Sequence, residues 1–141
     1  MSTVSVRTKD LSKTALDYAV AKAKGYDEIK VFAPNRPTDD GWVDVRFNPE
    51  PKAATARFDP SKNWAFAGPI IDATKMDVKW VGENWCRASI DWLDEKCFEA
   101  FGPNPITAAM RCFVEAKLGP TVEIPQSLAH QCEKPKSGLS L

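Results

Sequence analysis

Residues 76–90 read MDVKWVGENWCRASI. Met76 to Val81 and Trp85 to Ile90 both alternate in polarity, and Gly82-Glu83-Asn84 separates them, so the stretch predicts a β-hairpin. Alternation puts Trp80 on one face with Val78 and Met76. On the second run Trp85, Arg87 and Ser89 share a face, while Cys86, Ala88 and Ile90 take the opposite, apolar one. Downstream, NPITAAMRCFVEAKLG (104–119) switches to the helical period. Asn104 caps, Pro105 takes the first turn, and Ile106, Ala109, Met110, Phe113, Val114 and Leu118 form one stripe that Gly119-Pro120 ends. Between them, 91–103 (DWLDEKCFEAFGP) reads as a short helix or a long loop.

Working towards the N-terminus, FDPSKNWAFAGPIID (58–72) places Asp59-Pro60 as the start of a second helix over 61–73, with Trp64, Ala67, Gly68 and Ile71 on its inner face. Pro69 removes a backbone donor there and predicts a kink or a split. EIKVFA (28–33) and WVDVRF (42–47) alternate around the turn-rich loop PNRPTDDG and predict a first hairpin, with Val43, Val45 and Phe47 inward. The stretch 48–56 reads as an irregular connection. A first helix spans about 12–24, with Ser12 as cap, Leu11 and Leu16 as a hydrophobic staple and Gly25 as the left-handed stop. Residues 1–10 read as polar and frayed, and Val122 with Ile124 as a short strand.

The predicted order is α-β-β-α-β-β-α-β. The expected fold class is α+β: a mostly antiparallel sheet of four to five strands packed by three helices, extending to an α/β/α sandwich if the second helix takes the other face. Residues 1–125 make one domain, and 126–141 a flexible tail.

Composition excludes several function classes. Lys plus Arg equals Asp plus Glu at 19 each, so the net charge is zero. That speaks against generic nucleic-acid binding, which needs excess positive charge. No run of 18 apolar residues exists to span a membrane, and the first residues lack a secretory h-region. Cys86, Cys97, Cys112 and Cys132 are irregularly spaced, with no C-x-x-C pair, and read as free thiols. His130 is the single histidine, so neither a zinc site nor a Cys–His nucleophile is expected, and no cofactor motif is present. Asp39-Asp40 and Asp91-x-x-Asp94-Glu95 read as solvated turn carboxylates. Arg111 reads as an ion-paired or solvated residue, with Asp72 as a candidate partner.

The candidate binding residues are Trp85 with Arg87, and Trp42 with Arg46. Each is an aromatic beside a guanidinium on the more polar face of a predicted strand. Such pairs stack a base or anchor a protein partner. Trp92 is a further candidate for lining a groove. No catalytic residue is assigned.

Three stretches, ALDYAVAKAKG (15–25), FDPSKNWAFAGPIID (58–72) and NPITAAMRCFVEAKLG (104–119), followed by EIP (123–125), together resemble the NinX-like family of small bacteriophage proteins. The Gly-Pro inside the second helix and the Met-Arg-Cys of the third carry the likeness. Tyr18 stands where that family has Trp, Asn63 where it has Asp, and Ala67 where it has Gly. The resemblance implies phage origin and a setting in the cytoplasm of a bacterial host, and it implies no reaction. The leading expectation is a non-enzymatic accessory protein that binds and inhibits a host macromolecule, as in counter-defence, with an unidentified host protein as partner. The alternative is a small-ligand binder, such as a sponge for a signalling nucleotide; a carboxylate-dependent nuclease or hydrolase ranks last.

Overall fold

The computed structural model describes residues 3–26, 28–32, 41–47, 55–91 and 97–132. Helix α1 (Lys13–Lys24) ends at Gly25, whose φ of 83° is the left-handed stop expected from the sequence. Helix α2 is Trp64–Thr74, and helix α3 is Pro105–Leu118. Leu11 and Leu16 are fully buried, as the staple requires.

The protein is mixed α+β, but its strands make three small sheets in place of one sheet of four or five strands. Strand β1 (Thr3–Arg7) pairs antiparallel with β8 (Thr121–Pro125). β2 (Ile29–Phe32), β3 (Trp42–Val45) and β4 (Ala56–Arg57) form the second sheet, with β3 central. β5 (Asp77–Gly82), β6 (Trp85–Ile90) and β7 (Phe98–Gly102) form the third, with β6 central. Both hairpins therefore form as expected. The two do not join: β4 flanks β3 in one sheet and β7 flanks β6 in the other, and no edge strand of one pairs with the other. These neighbours come from 48–56 and 91–103, where the sequence shows no clean alternation.

Other expectations are corrected by pairing partners distant in sequence. The frayed N-terminus is strand β1, held by five residue pairs to β8. The tail is not free over its first part. Gln126–Gln131 forms a 3-10 helix with Leu128 buried, and Gln131 docks on the start of α1. The Gln131 side-chain oxygen accepts from Ala15 N at 2.9 Å, and its carbonyl accepts from the Ser12 hydroxyl at 2.6 Å. Ser12 thus makes no cap bond of its own, and a residue 116 positions away caps the helix. Residues 133–141 lie outside the described residues.

In α2 the cap is Asn63, which accepts from Ala65 N, while Asp59-Pro60 belongs to the preceding turn. The helix runs through Pro69 without splitting. Trp64, expected in the core, is 56 % exposed, because α2 starts later than the sequence pattern suggests and turns its first residue outward.

Helix α3 packs across β5, β6 and β7 and against α1 and α2. Its Ile106–Val114 stretch is buried throughout, Phe113 included. The helix approaches β7 closely at Gly102. A Cβ there would lie 2.8 Å from Ala108 N and 3.1 Å from the Thr107 methyl. Arg111, expected paired or solvated, is 2 % exposed. It donates to the carbonyl oxygens of Leu11 at 2.7 Å and Phe101 at 2.9 Å.

Truncating Phe113 to Ala should cost about 3–5 kcal/mol of unfolding free energy, read from denaturant melts. Gly102→Ala adds a single methyl yet should cost about 1–3 kcal/mol, because backbone at Ala108 has to move to admit it. An unchanged midpoint for Gly102→Ala would mean that α3 sits farther from β7.

Candidate functional site

The third sheet has one covered and one open face. α3 lies on the side of Cys86, Ala88 and Ile90, all fully buried. Opposite strand positions share a face, so the register brings Trp85, Arg87, Lys79, Phe101 and Glu99 to the open side. Trp85 is 44 % exposed and stacks on Phe101, ring centroids 6.2 Å apart and planes 7° from parallel. Val81, next to the turn, is also exposed, as is Trp80, which lies opposite Cys86 and so on the other face. The hairpin end is thus an aromatic surface rimmed by charges of both signs. Ser89, further along the same strand, is buried.

Arg87 is not free on this face. Its Nε donates to Glu99 Oε2, and that bond holds the guanidinium protonated beyond its ordinary range. The first hairpin repeats the theme with a different geometry. Trp42 stacks on Phe32 at 4.8 Å, and Arg57 of β4, rather than Arg46, lies over its ring at 4.7 Å. Arg46 bonds Glu28 at 2.9 Å, which together with Lys30 holds the Glu28 carboxyl below the usual range. The structure therefore does not bring Trp42 and Arg46 together as one stacking pair. Phe101 and Arg57 escape a reading of the sequence because neither lies in an alternating run; register alone supplies them.

Trp92, Asp39-Asp40, Asp94 and Glu95 lie outside the described residues. The four cysteines are unpaired. Burial pushes the Cys112 thiol up to about 12 and Cys132 up to about 11, which holds both thiols protonated near neutrality. Among the described residues no group of three or more His, Cys, Asp or Glu side chains could hold a metal ion. No described helix is long and apolar enough to cross a membrane.

A second feature lies where α1, α2 and α3 begin. A cavity of about 350 Å³ is lined by Ser12 and Lys13 of α1, Ser61 and Lys62 of the turn before α2, and Asn104 and Thr107 of α3. Beneath it Asp17 of α1, 2 % exposed, accepts from Ser61 N at 2.7 Å and so ties this turn to the helix. Burial pushes the Asp17 carboxyl up from 3.8 to about 7, against the hydrogen bonds from Ser61 that favour the charged form. Sequence patterning did not single out Asp17, since it sits in an ordinary helical run and its burial is a tertiary fact.

The folded chain therefore retains the Asp17 proton up to about pH 7, whereas the unfolded chain gives it up near 3.8. The stability this group contributes is full at low pH and is lost as pH rises between those values, by at most about 1.4 kcal/mol per pH unit. Asp17→Asn keeps an oxygen for Ser61 N and removes the titration. Its unfolding free energy should change less than the wild type's between about pH 5 and about pH 8. Parallel slopes for the two proteins would place the Asp17 pKa in the normal range.

No curated protein matches the chain. The family described as Bacteriophage P22, NinX, matches residues 7–117, a span that takes in α1, α2, all but the last residue of α3, both hairpins and the open aromatic face. With that match over most of its length, the chain belongs to the NinX family of bacteriophage proteins.

Proposed function

We propose that this phage accessory protein is a non-enzymatic binder of a host protein, that it works in the host cytoplasm, and that it inhibits its target, as in counter-defence. The observation that supports this reading is the open face of the third sheet. Trp85 and Phe101, both at least 36 % exposed, stack on this face, while the opposite face carries the buried Cys86, Ala88 and Ile90 under α3. Contiguous exposed apolar surface is costly in water and marks interaction sites. Aromatic anchors inside a charged rim have the anatomy of a protein–protein hot spot. A phosphate-bearing ligand fits this face less well, because Arg87 is engaged by Glu99. The partner fitting it is a protein with an apolar pocket for the stacked Trp85–Phe101 pair.

The test compares the full chain with a Trp85→Ala/Phe101→Ala variant, both recovered from infected host cells. The wild type should carry one host protein at stoichiometric amount. The variant should lose it, with binding to the purified partner weakened by about 2 kcal/mol or more. Because both rings are exposed, the variant's stability should stay within about 1 kcal/mol of wild type. Retention of the same partner by the variant, or release of a bound nucleotide in place of a protein, would overturn the reading.

A further inference from the structure

Strand β5 is an edge. The third sheet runs β5-β6-β7, so β5 pairs with β6 on one side and is open on the other. Among the described residues its main packing neighbours are β6 and α3, and no hydrogen bond from outside the sheet reaches residues 77–81. An open edge is a row of backbone donors and acceptors that another strand can join, and folded proteins blunt such edges with proline, short strands or bulges. β5 is six residues long, carries no proline, and has its bulge at the far end, between Trp80 and Gly82. Residues 77–80 are left as a regular run, in unbroken register with residues 86–89.

The side chains of this run match their own reversal. Met76, Val78 and Trp80 alternate with Asp77 and Lys79. Val78 and Trp80 lie opposite Ala88 and Cys86, on the side that α3 covers, while Asp77 and Lys79 lie opposite Ser89 and Arg87 on the open side. Laid antiparallel to a second copy about Val78, the strand sets Asp77 across from Lys79 of the copy at both ends. Val78 then faces Val78, and Trp80 faces Met76. Opposite charges directly across a strand pair attract, and like charges repel. A slip of two residues sets Asp77 on Asp77 or Lys79 on Lys79. A slip of one turns the apolar face of one copy to the polar face of the other. A single register therefore satisfies both the charges and the faces.

The groups this register needs are available. Neither Asp77 nor Lys79 makes an ion pair among the described residues. Trp80 is 56 % exposed, although it points to the covered side of the sheet. The cause is that α3 lies mainly over β7 and β6, which leaves the β5 margin clear on that side for the Trp80 of a copy.

We infer that the β5 edge is an interface for a second copy of this chain, paired antiparallel about Val78 in an isologous dimer. The same surface serves both subunits, as two-fold symmetry requires. The two three-stranded sheets become one six-stranded sheet, with both α3 helices on one side and both Trp85–Phe101 faces on the other. Neither Trp85 nor Phe101 takes part in the contact, and the pairing is measured on the purified chain alone. Self-pairing and host-protein binding therefore stand or fall separately.

The experiment is sedimentation of the full chain over a range of concentrations. The wild type should pass from the mass of one chain to that of two as concentration rises. Asp77→Lys and Lys79→Asp should each raise the dimer dissociation constant about tenfold or more, which is ~1.4 kcal/mol, because each sets like charges at both ends of the pair. Mixed in equal amounts, the two variants should recover a dimer of near wild-type strength, since Asp then faces Lys at both ends again. The double variant Asp77→Lys/Lys79→Asp should dimerise with itself for the same reason. Recovery in the mixture also shows that both single variants are folded. A wild type that stays monomeric, single variants that dimerise as the wild type does, or a mixture that does not recover would each overturn the interface. If the wild type stays monomeric while Lys79→Asp sheds a host protein recovered from infected cells, the edge takes a foreign strand in place of a second copy.

Discussion

A guanidinium buried in the middle of α3 sets the geometry on which the rest of the protein depends. Arg111 is 2 % exposed and binds the carbonyl oxygens of Leu11 and Phe101, 100 and 10 residues away. Hydrogen bonds to a charged group are each worth about 1.5–3 kcal/mol, and breaking them strands a buried charge. One side chain thus fastens the segment leading into α1 and the end of β7 to the central helix. Its two anchors are informative in themselves. Leu11 directly precedes Ser12, the N-cap of α1, which borders the cleft between the helix starts. Phe101 is the ring on which Trp85 stacks. Arg111 therefore ties together, through the backbone, the start of α1 and the open aromatic face.

The sheets follow from the same economy of burial. Each three-stranded sheet turns an apolar face inward and leaves aromatic rings on the other. In the third sheet α3 covers the side of Cys86, Ala88 and Ile90. Its close packing requires the glycine at 102, since any Cβ would meet the helix backbone. In the second sheet Val43 and Val45 are buried while Phe32, Trp42 and Arg57 stack across the outer face. Near the end of that sheet Tyr26, Phe47, Phe58 and Phe66 meet in edge and stacked pairs, closing the gap between β3 and α2. Phe47 keeps 42 % exposure even so, a value between the inward position that alternation expects and a free surface ring.

Much of the candidate binding face was legible as sequence. Strand alternation separates Trp85 and Arg87 from Cys86, Ala88 and Ile90 with no knowledge of neighbours, and the structure keeps that division. Alternation could not reach Phe101, the ring that makes Trp85 part of a surface, because FEAFG has no clean period and gains its strand only by pairing with β6. It could not foresee that Glu99 and Glu28 occupy the two arginines, since both contacts cross between strands. Nor could it mark Asp17, an ordinary helical residue whose importance comes from being enclosed beside Ser61, remote in the chain.

The amino-acid sequence by itself determined the elements with strong local signals. The three helices, with Asn104-Pro105 and Gly25 at their ends, and the two hairpins around 33–41 and 82–84 depend on capping, turn chemistry and period, which act over a few residues. The tertiary structure alone decided that β1 pairs with β8 and that Gln131 caps α1. It also decided that the strands divide into three sheets and that the starts of α1 and α3 meet the turn before α2 at one cleft. Those outcomes rest on contacts between residues up to about 120 positions apart, with Thr3 bonding Glu123 at 2.7 Å as one case. Local propensity carries no information about which distant segment satisfies a given backbone edge or buried donor. Only the closing of the core around Arg111 and α3 selects among them.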